Sequence, residues 1–144
     1  VADWFERLHG LFSETVADAP FPIDEHPTPP EMYRARVIDG TASDLDAIIV
    51  AIDGDDWVGF TTLRPTSPGS SRWSQMLTGV AKSHRGARLG SSLKAAGLRA
   101  VAAKGATSVG TLNHEANPTI LAINASLGFD PQNTVHLMVK RATG

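Results

Sequence analysis

Apolar residues recur at helical spacing over 3–17, where Trp4, Phe5, Leu8, Leu11, Phe12 and Val16 line one face. The pattern predicts an amphipathic helix, and Asp3 with Glu6 reads as a capping box at its start. Pro20, Pro22, Pro27, Pro29 and Pro30 then break the chain. A second helix is expected from Thr28, with Pro29 as its first helical residue, Glu31 completing Thr-x-x-Glu and Gly40 as its stop. Beyond it the period shortens to that of strands. Apolar runs at 45–52 and 57–63 flank Asp53-Gly54-Asp55-Asp56, a hairpin signal, and Gly59 marks a bulge in the second run. After a Pro/Ser/Gly-rich loop at 65–71, a third strand is expected over 72–81; Gly79 marks a bulge or a place where a ligand lies against the backbone. Leu89, Leu93, Ala96, Gly97, Ala100 and Val101 give a helix with a smooth face, closed by Gly105. A strand at 108–112 leads to Asn117-Pro118, a helix cap and first residue, and that helix ends at Gly128. Val135, Leu137 and Val139 alternate with His136, Met138 and Lys140 in an expected last strand, 135–140.

This order predicts an α/β (α+β) fold with a mixed, mostly antiparallel sheet and helices on both faces. At 144 residues the chain reads as one domain, 1–144. A net charge of −2 supplies no global basic field, so nucleic acid is not an expected partner. The basic residues are uneven, however: Lys82, Arg85, Arg88, Lys94, Arg99 and Lys104 cluster midway, while the first 56 residues are acid-rich. An anionic ligand bound midway along the chain fits that asymmetry. The absence of cysteine excludes disulfides, zinc–thiolate sites and a cysteine nucleophile, and it fits the cytoplasm. No apolar run approaches the roughly 20 residues of a membrane helix, so no membrane association is expected. The Asp53–Asp56 cluster reads as a turn, and no metal is expected.

The stretch from Gly79 to Leu93 passes from an apolar strand end through a basic, glycine-bearing turn into a helix. A helix start reached this way is an anion site, because its first N–H groups lack intrahelical partners and carry the positive end of the dipole. Gly86 and Gly90 permit close backbone approach; Lys82, Arg85 and Arg88 add charge. The competing reading is a surface turn with solvated arginines. Two nucleotide-binding signatures do not apply: Ser91 and Ser92 follow Gly90 without the lysine of a P-loop, and G-x-G-x-x-G is missing.

Arg85-Gly86-Ala87-Arg88-Leu89-Gly90 resembles the coenzyme A-binding turn of the GNAT superfamily of acyl-CoA N-acyltransferases, Arg/Gln-x-x-Gly-x-Gly/Ala. Downstream, Asn117 and the helix ending Leu127-Gly128-Phe129 resemble the superfamily's next motif, and order and spacing agree over 78–140. The resemblance implies acetyl-CoA as co-substrate, with the diphosphate on the N–H groups of Arg85, Gly86, Ala87, Arg88, Leu89, Gly90 and Ser91. It places the pantetheine arm along Val80, Ala81 and Lys82, in a gap between this strand and the one ending at Leu112, with the acyl carbonyl close to Val80. Asn117, also a helix cap, would bond the arm. The implied reaction is transfer of an acetyl group to a small-molecule or peptide amine, and the lack of cysteine favours direct transfer in a ternary complex.

Two departures stand out. Asn124 occupies the place of the tyrosine acid common in Tyr-x-x-Leu-Gly-Phe, and Arg88 stands where a small residue is usual. His114 and Glu115, just past the strand end, read either as surface polar residues or as candidate bases; Asn124, and Ser126 as a substitute acid, are the other candidates at the expected transfer centre. Gln75, Thr78 and Asn113 are candidates for the acceptor cleft, and Asn124 also for the CoA side. Tyr33 reads as packing, His84 as part of a turn and His136 as solvent-facing. The strand usual ahead of the opening helix is missing, which implies that Val1 lies inside a longer protein, as in the C-terminal member of a tandem pair with a preceding GNAT domain. A rival reading is a CoA-binding or structural module that has lost catalysis. Oligomeric state stays open.

Overall fold

The computed structural model describes residues 3–18, 28–136, 138, 140 and 142. Four helices and four strands follow in the order α1 (Trp4–Asp18), α2 (Pro30–Tyr33), β1 (Ile48–Asp53), β2 (Asp56–Pro65), β3 (Arg72–Val80), α3 (Leu89–Ala103), β4 (Ser108–Thr111) and α4 (Pro118–Ser126). The sheet order is β1-β2-β3-β4; the first three strands are antiparallel and β4 runs parallel to β3, as a strand–helix–strand crossover requires. The expected mixed, mostly antiparallel sheet is thus found.

Each face of the sheet carries its own core. On one, Leu8 and Leu11 of α1 and Tyr33 of α2 close over Phe60. On the other, Val101 of α3 packs with Ala47, Leu63 and Trp73. α3 lies close to β2 because Gly97 has no side chain: a Cβ there would meet Leu63 Cδ1 at 2.6 Å.

Several boundaries differ from the sequence expectation. Asp3 bonds the Arg7 guanidinium at 2.8 Å, so the pair that forms is Asp3–Arg7. The second helix starts one residue late, at Pro30 after Pro29, and widens into a π-turn over Arg34–Ile38. The run at 45–52 opens with a 3-10 turn, Leu45–Ala47, before becoming a strand at Ile48. The bulge in β2 falls beside Gly59, since Ala51 pairs with Gly59 but Ile52 with Trp57. Gly79 holds no bulge; it sits under α1, where a side chain would collide with Thr15 and Phe60. The bulge of β3 lies at 76–77, because Thr61 pairs with Thr78 and Leu63 with Gln75. Of the expected last strand, Val135, His136, Met138 and Lys140 lie outside any strand, and Leu137 and Val139 lie outside the described residues. Val135 and Met138 are 69% and 87% exposed. No helix is long and apolar enough to cross a membrane among the described residues.

Candidate functional site

β3 and β4 pair only from Arg72↔Ser108 to Gln75↔Thr111. Past Gln75 the longer strand continues to Val80 with no strand on that side among the described residues. A wedge therefore opens between β3 and the chain leaving β4, with α3 and α4 beside it. Ala81 N–H bonds Val58 C=O on β2 at 2.9 Å. By strand alternation, Val80 and Thr78 turn their peptide groups the other way, into the wedge. An extended amide-bearing ligand laid there would continue the sheet.

The wedge ends at the start of α3. Lys82–His84 makes one 3-10 turn, Gly86 adopts φ +88° and Arg88 adopts φ +60°. No side chain caps α3, and the N–H groups from Gly86 to Ser91 have no acceptor among the described residues. A Cβ at Gly90 would find only Ile123 Cδ1 and Val80 Cγ2, each at 3.8 Å, so the backbone is bare on the side facing the wedge. Six successive N–H groups left without acceptors at a helix start are the kind of backbone that can take an anion.

The basic side chains are deployed unequally around it. Arg88 has no ion pair among the described residues. Arg85 reaches away from the helix start: its Nε donates to Val80 C=O and its Nη1 to Asp18 Oδ2, both at 3.0 Å. Lys82 Nζ lies 3.5 Å from the same carboxylate, and Lys82 N–H donates to Glu14 Oε1 at 2.7 Å. The C-terminal half of α1 thus holds groups that an incoming anion or arm would use. Arg85 keeps the exposed Asp18 carboxyl below its usual range.

Asn117 accepts Ile120 N–H at 3.2 Å and so caps α4. Asn124 is 6% exposed, and its Oδ1 has no hydrogen-bond donor. Gln75 donates from Nε2 to Thr61 Oγ1 at 3.0 Å, and Thr61 joins Thr78 at 2.7 Å, so two of the three expected acceptor-cleft residues, Gln75 and Thr78, belong to an internal chain facing α3. Gln75 Oε1 is likewise without a donor. Asn113 donates from Nδ2 to Thr111 Oγ1 at 3.4 Å, just past β4. His114 accepts Ala116 N–H at Nδ1, 2.9 Å, within the exposed loop that also carries Glu115. Ser126 Oγ donates to Ile123 C=O at 2.7 Å. His84 bridges Ser83 and Asp53, and Tyr33 packs at a tilt against Phe12 with ring centroids 4.4 Å apart, its hydroxyl buried and its pKa driven up by desolvation. No cluster of metal-ligating side chains occurs among the described residues.

One group missed by the sequence reading is Lys94. Grouped by charge with the anion-site residues, it is instead 2% exposed on the buried face of α3, with Nζ 5.6 Å from the Phe129 ring centroid. Burial lowers its pKa from 10.5 to about 8. The signal was available: position 94 falls on the helical stripe of Leu93, Gly97 and Val101.

A crossover sheet that splays beside an uncapped helix start is the architecture of an acyl-CoA N-acyltransferase. The model of the acetyltransferase (GNAT) family matches residues 8–129, and the chain belongs to that family. Among solved structures, an aminoglycoside N-acetyltransferase in complex with CoA is 17% identical, with a TM-score of 0.69 over 98% of this chain and 91% of that one. A second aminoglycoside acetyltransferase, from an uncultured soil metagenomic sample and bound to sisomicin, is 16% identical, with a TM-score of 0.69 over 96% of this chain and 89% of its own. Ribosomal-protein-alanine N-acetyltransferase from Brucella melitensis is 19% identical, with a TM-score of 0.68 over 90% of this chain and 80% of that one. At these identities the likeness establishes the fold. No curated protein matches the sequence.

Proposed function

We propose that the chain transfers an acetyl group from acetyl-CoA to a primary amine by direct transfer in a ternary complex. The observation that carries this reading is the run of six N–H groups, Gly86 to Ser91, and the edge of β3 beyond Gln75 onto which they open, both without partners among the described residues. Bound acetyl-CoA would supply the activated thioester. Gly86, Ala87, Leu89, Gly90 and Ser91 would hold the diphosphate through their N–H groups, with Arg88 as charge partner. The Val80 N–H would pair with a pantetheine amide, and the next wedge-facing N–H, that of Thr78, would polarise the carbonyl. Arg85 and Lys82 join only when Asp18 and Glu14 release them. The acceptor stands beyond β4, where Asn113, His114 and Glu115 are exposed or half-buried around the strand end, and an ionised Glu115 or neutral His114 would take the amine's proton. Structural neighbours that act on aminoglycosides and on a ribosomal protein support an amine acceptor. The absence of cysteine favours a single displacement.

Titration with CoA and acetyl-CoA, followed by an assay of thiol release across an amine panel, tests the reading. Saturable binding with amine-dependent release is expected; a failure to bind either nucleotide would overturn it. The second reading, a CoA-binding module without catalysis, is favoured by Asn124, whose amide is no proton donor to a thiolate. It predicts binding without turnover.

A further inference from the structure

We propose that Lys94 is the proton donor to the departing thiolate, filling from α3 the role that Asn124 leaves empty on α4; this rests on the acetyl-CoA reading above. Lys94 lies one turn beyond Gly90 on the same face of α3. Gly90 looks onto Val80 of β3 and Ile123 of α4, and Gly97, further along, looks onto Thr61 and Leu63 of β2. α3 runs back along β3, so four residues descend about 6 Å, or about two strand residues, from Val80. That places Lys94 near the level of Thr78, above Gln75, where β3 and β4 part. Phe129, whose ring carries the ammonium, donates its N–H to Asn124 C=O at 3.0 Å.

The neighbour of Lys94 Nζ is the Phe129 ring, and Lys94 makes no hydrogen bond or ion pair among the described residues. Two further buried polar atoms, Asn124 Oδ1 on α4 and Gln75 Oε1 on β3, have no donors. The acids on elements packed against α3 are engaged elsewhere or exposed: Asp44 and Asp46 pair with Lys104, Asp53 pairs with His84, and Asp56 faces solvent. The basic residues of β2 and β3, Arg64 and Arg72, are exposed, α4 carries no charge, and Asp130 beside Phe129 is exposed. A core serving packing alone would pair these groups or replace them by apolar ones, because an uncompensated buried ammonium is destabilising. Burial also brings the ammonium to about pKa 8, where it persists at neutral pH yet gives up a proton readily.

In the transfer, the amine lone pair bonds the thioester carbonyl carbon, and the C–S bond breaks with its electron pair on sulfur. A proton from Lys94 Nζ passes to that sulfur, leaving CoA as the thiol. The extra proton on the new amide nitrogen goes to the base or to water, and water reprotonates Lys94.

The test compares the full chain with Lys94→Met and Lys94→Arg. Lys94→Met removes a buried charge, so its melting temperature at pH 7 should equal or exceed that of the parent. The parent should gain stability between pH 8 and 10.5, where only the unfolded chain keeps the proton, and the Met variant should lack that gain. CoA affinity should hold within about threefold while kcat falls about a hundredfold or more, the scale of a lost general acid. The parent's kcat should fall above pH 8 as Lys94 deprotonates, a limb absent from the variant. In lysine-labelled protein, the Lys94 resonance should titrate near 8 and move on adding CoA thiol. A Met variant with undiminished kcat and the same pH limb overturns the Lys94 assignment alone. A parent that neither binds CoA nor releases thiol overturns the acetyl-CoA reading and this one with it.

Discussion

The N-termini of α3 and α4 are finished in opposite ways. At α4, Asn117 Oδ1 takes the Ile120 N–H and Pro118 has no N–H to satisfy. At α3 no side chain caps the helix, and the cap residue, Arg88, is held at φ +60°, a conformation costing a non-glycine residue about 1 kcal/mol. A side-chain cap contributes about 1 kcal/mol, so the open end forgoes stability that the closed end secures within the chain. The difference fits the proposed roles of the two ends: α4 is anchored so that Asn124 and Phe129 keep their places, and α3 would offer its free donors to the diphosphate.

The largest effect is expected where the open end is blocked. A Cβ at Gly90 meets nothing nearer than 3.8 Å, so Gly90→Ala is accommodated, whereas the γ-carbons of Gly90→Val reach over the donors. CoA affinity should drop by about 3 kcal/mol, the scale of two charged hydrogen bonds, while Gly90→Ala stays much closer to the parent. Calorimetry showing parent-like binding by the valine variant would remove the anion site from this helix start. Asn117→Ala tests the closed end. It should lower unfolding free energy by about 1 kcal/mol in a urea titration and leave CoA affinity nearly unchanged. The reverse pattern, lost affinity at full stability, would make Asn117 a ligand group and erase the contrast.

Both helix ends were legible because local chemistry decides them: Asn117-Pro118 stops solvent from competing for first-turn donors, and Gly86 and Gly90 mark backbone left bare. The Gly54 hairpin was legible for the same reason, its glycine supplying φ +61°. Features set by distant partners were not. Gly79 looks like a bulge in sequence but is fixed by Thr15 of α1 and Phe60 of β2, while the true bulge falls at Met76 and Leu77, which carry no turn signature. The engagement of Arg85 and Lys82 by Asp18 joins residues more than 60 positions apart, beyond any local pattern. Lys94 shows the limit within the site: its charge suggested the anion field, and only its place on the buried stripe of α3 points the other way.

Arg88 allows the contrast to be sharpened, since charge and backbone strain coincide there. Arg88→Gly relieves the left-handed conformation, offset by glycine's greater entropy when unfolded, for a net gain of up to about 0.5 kcal/mol. Arg88→Ala keeps the strain and gains nothing. Both variants lose the charge, and each should weaken CoA by about 1 kcal/mol. Equal CoA affinity for Arg88→Gly and the parent would show that the N–H cradle binds without help from this guanidinium.

The smallest effect concerns what occupies the open end's neighbours before the ligand arrives. Asp18 holds Arg85 at 3.0 Å and Lys82 at 3.5 Å, so a diphosphate drawing on either cation must compete with this carboxylate. Asp18→Asn should raise CoA affinity by about twofold to threefold at low ionic strength, with the gain fading as salt screens these exposed charges. The same pair has a signature in stability. The folded carboxyl titrates below its usual 3.8, chiefly because Arg85 donates to it. Its contribution is therefore fully present above the unfolded value and is lost as pH falls through the lower folded value. The parent and Asp18→Asn should accordingly differ in melting temperature near neutrality and converge in acid. Convergence without any change in CoA affinity would mean that Asp18 only ties α1 to the loop, and that the open end of α3 needs neither Arg85 nor Lys82.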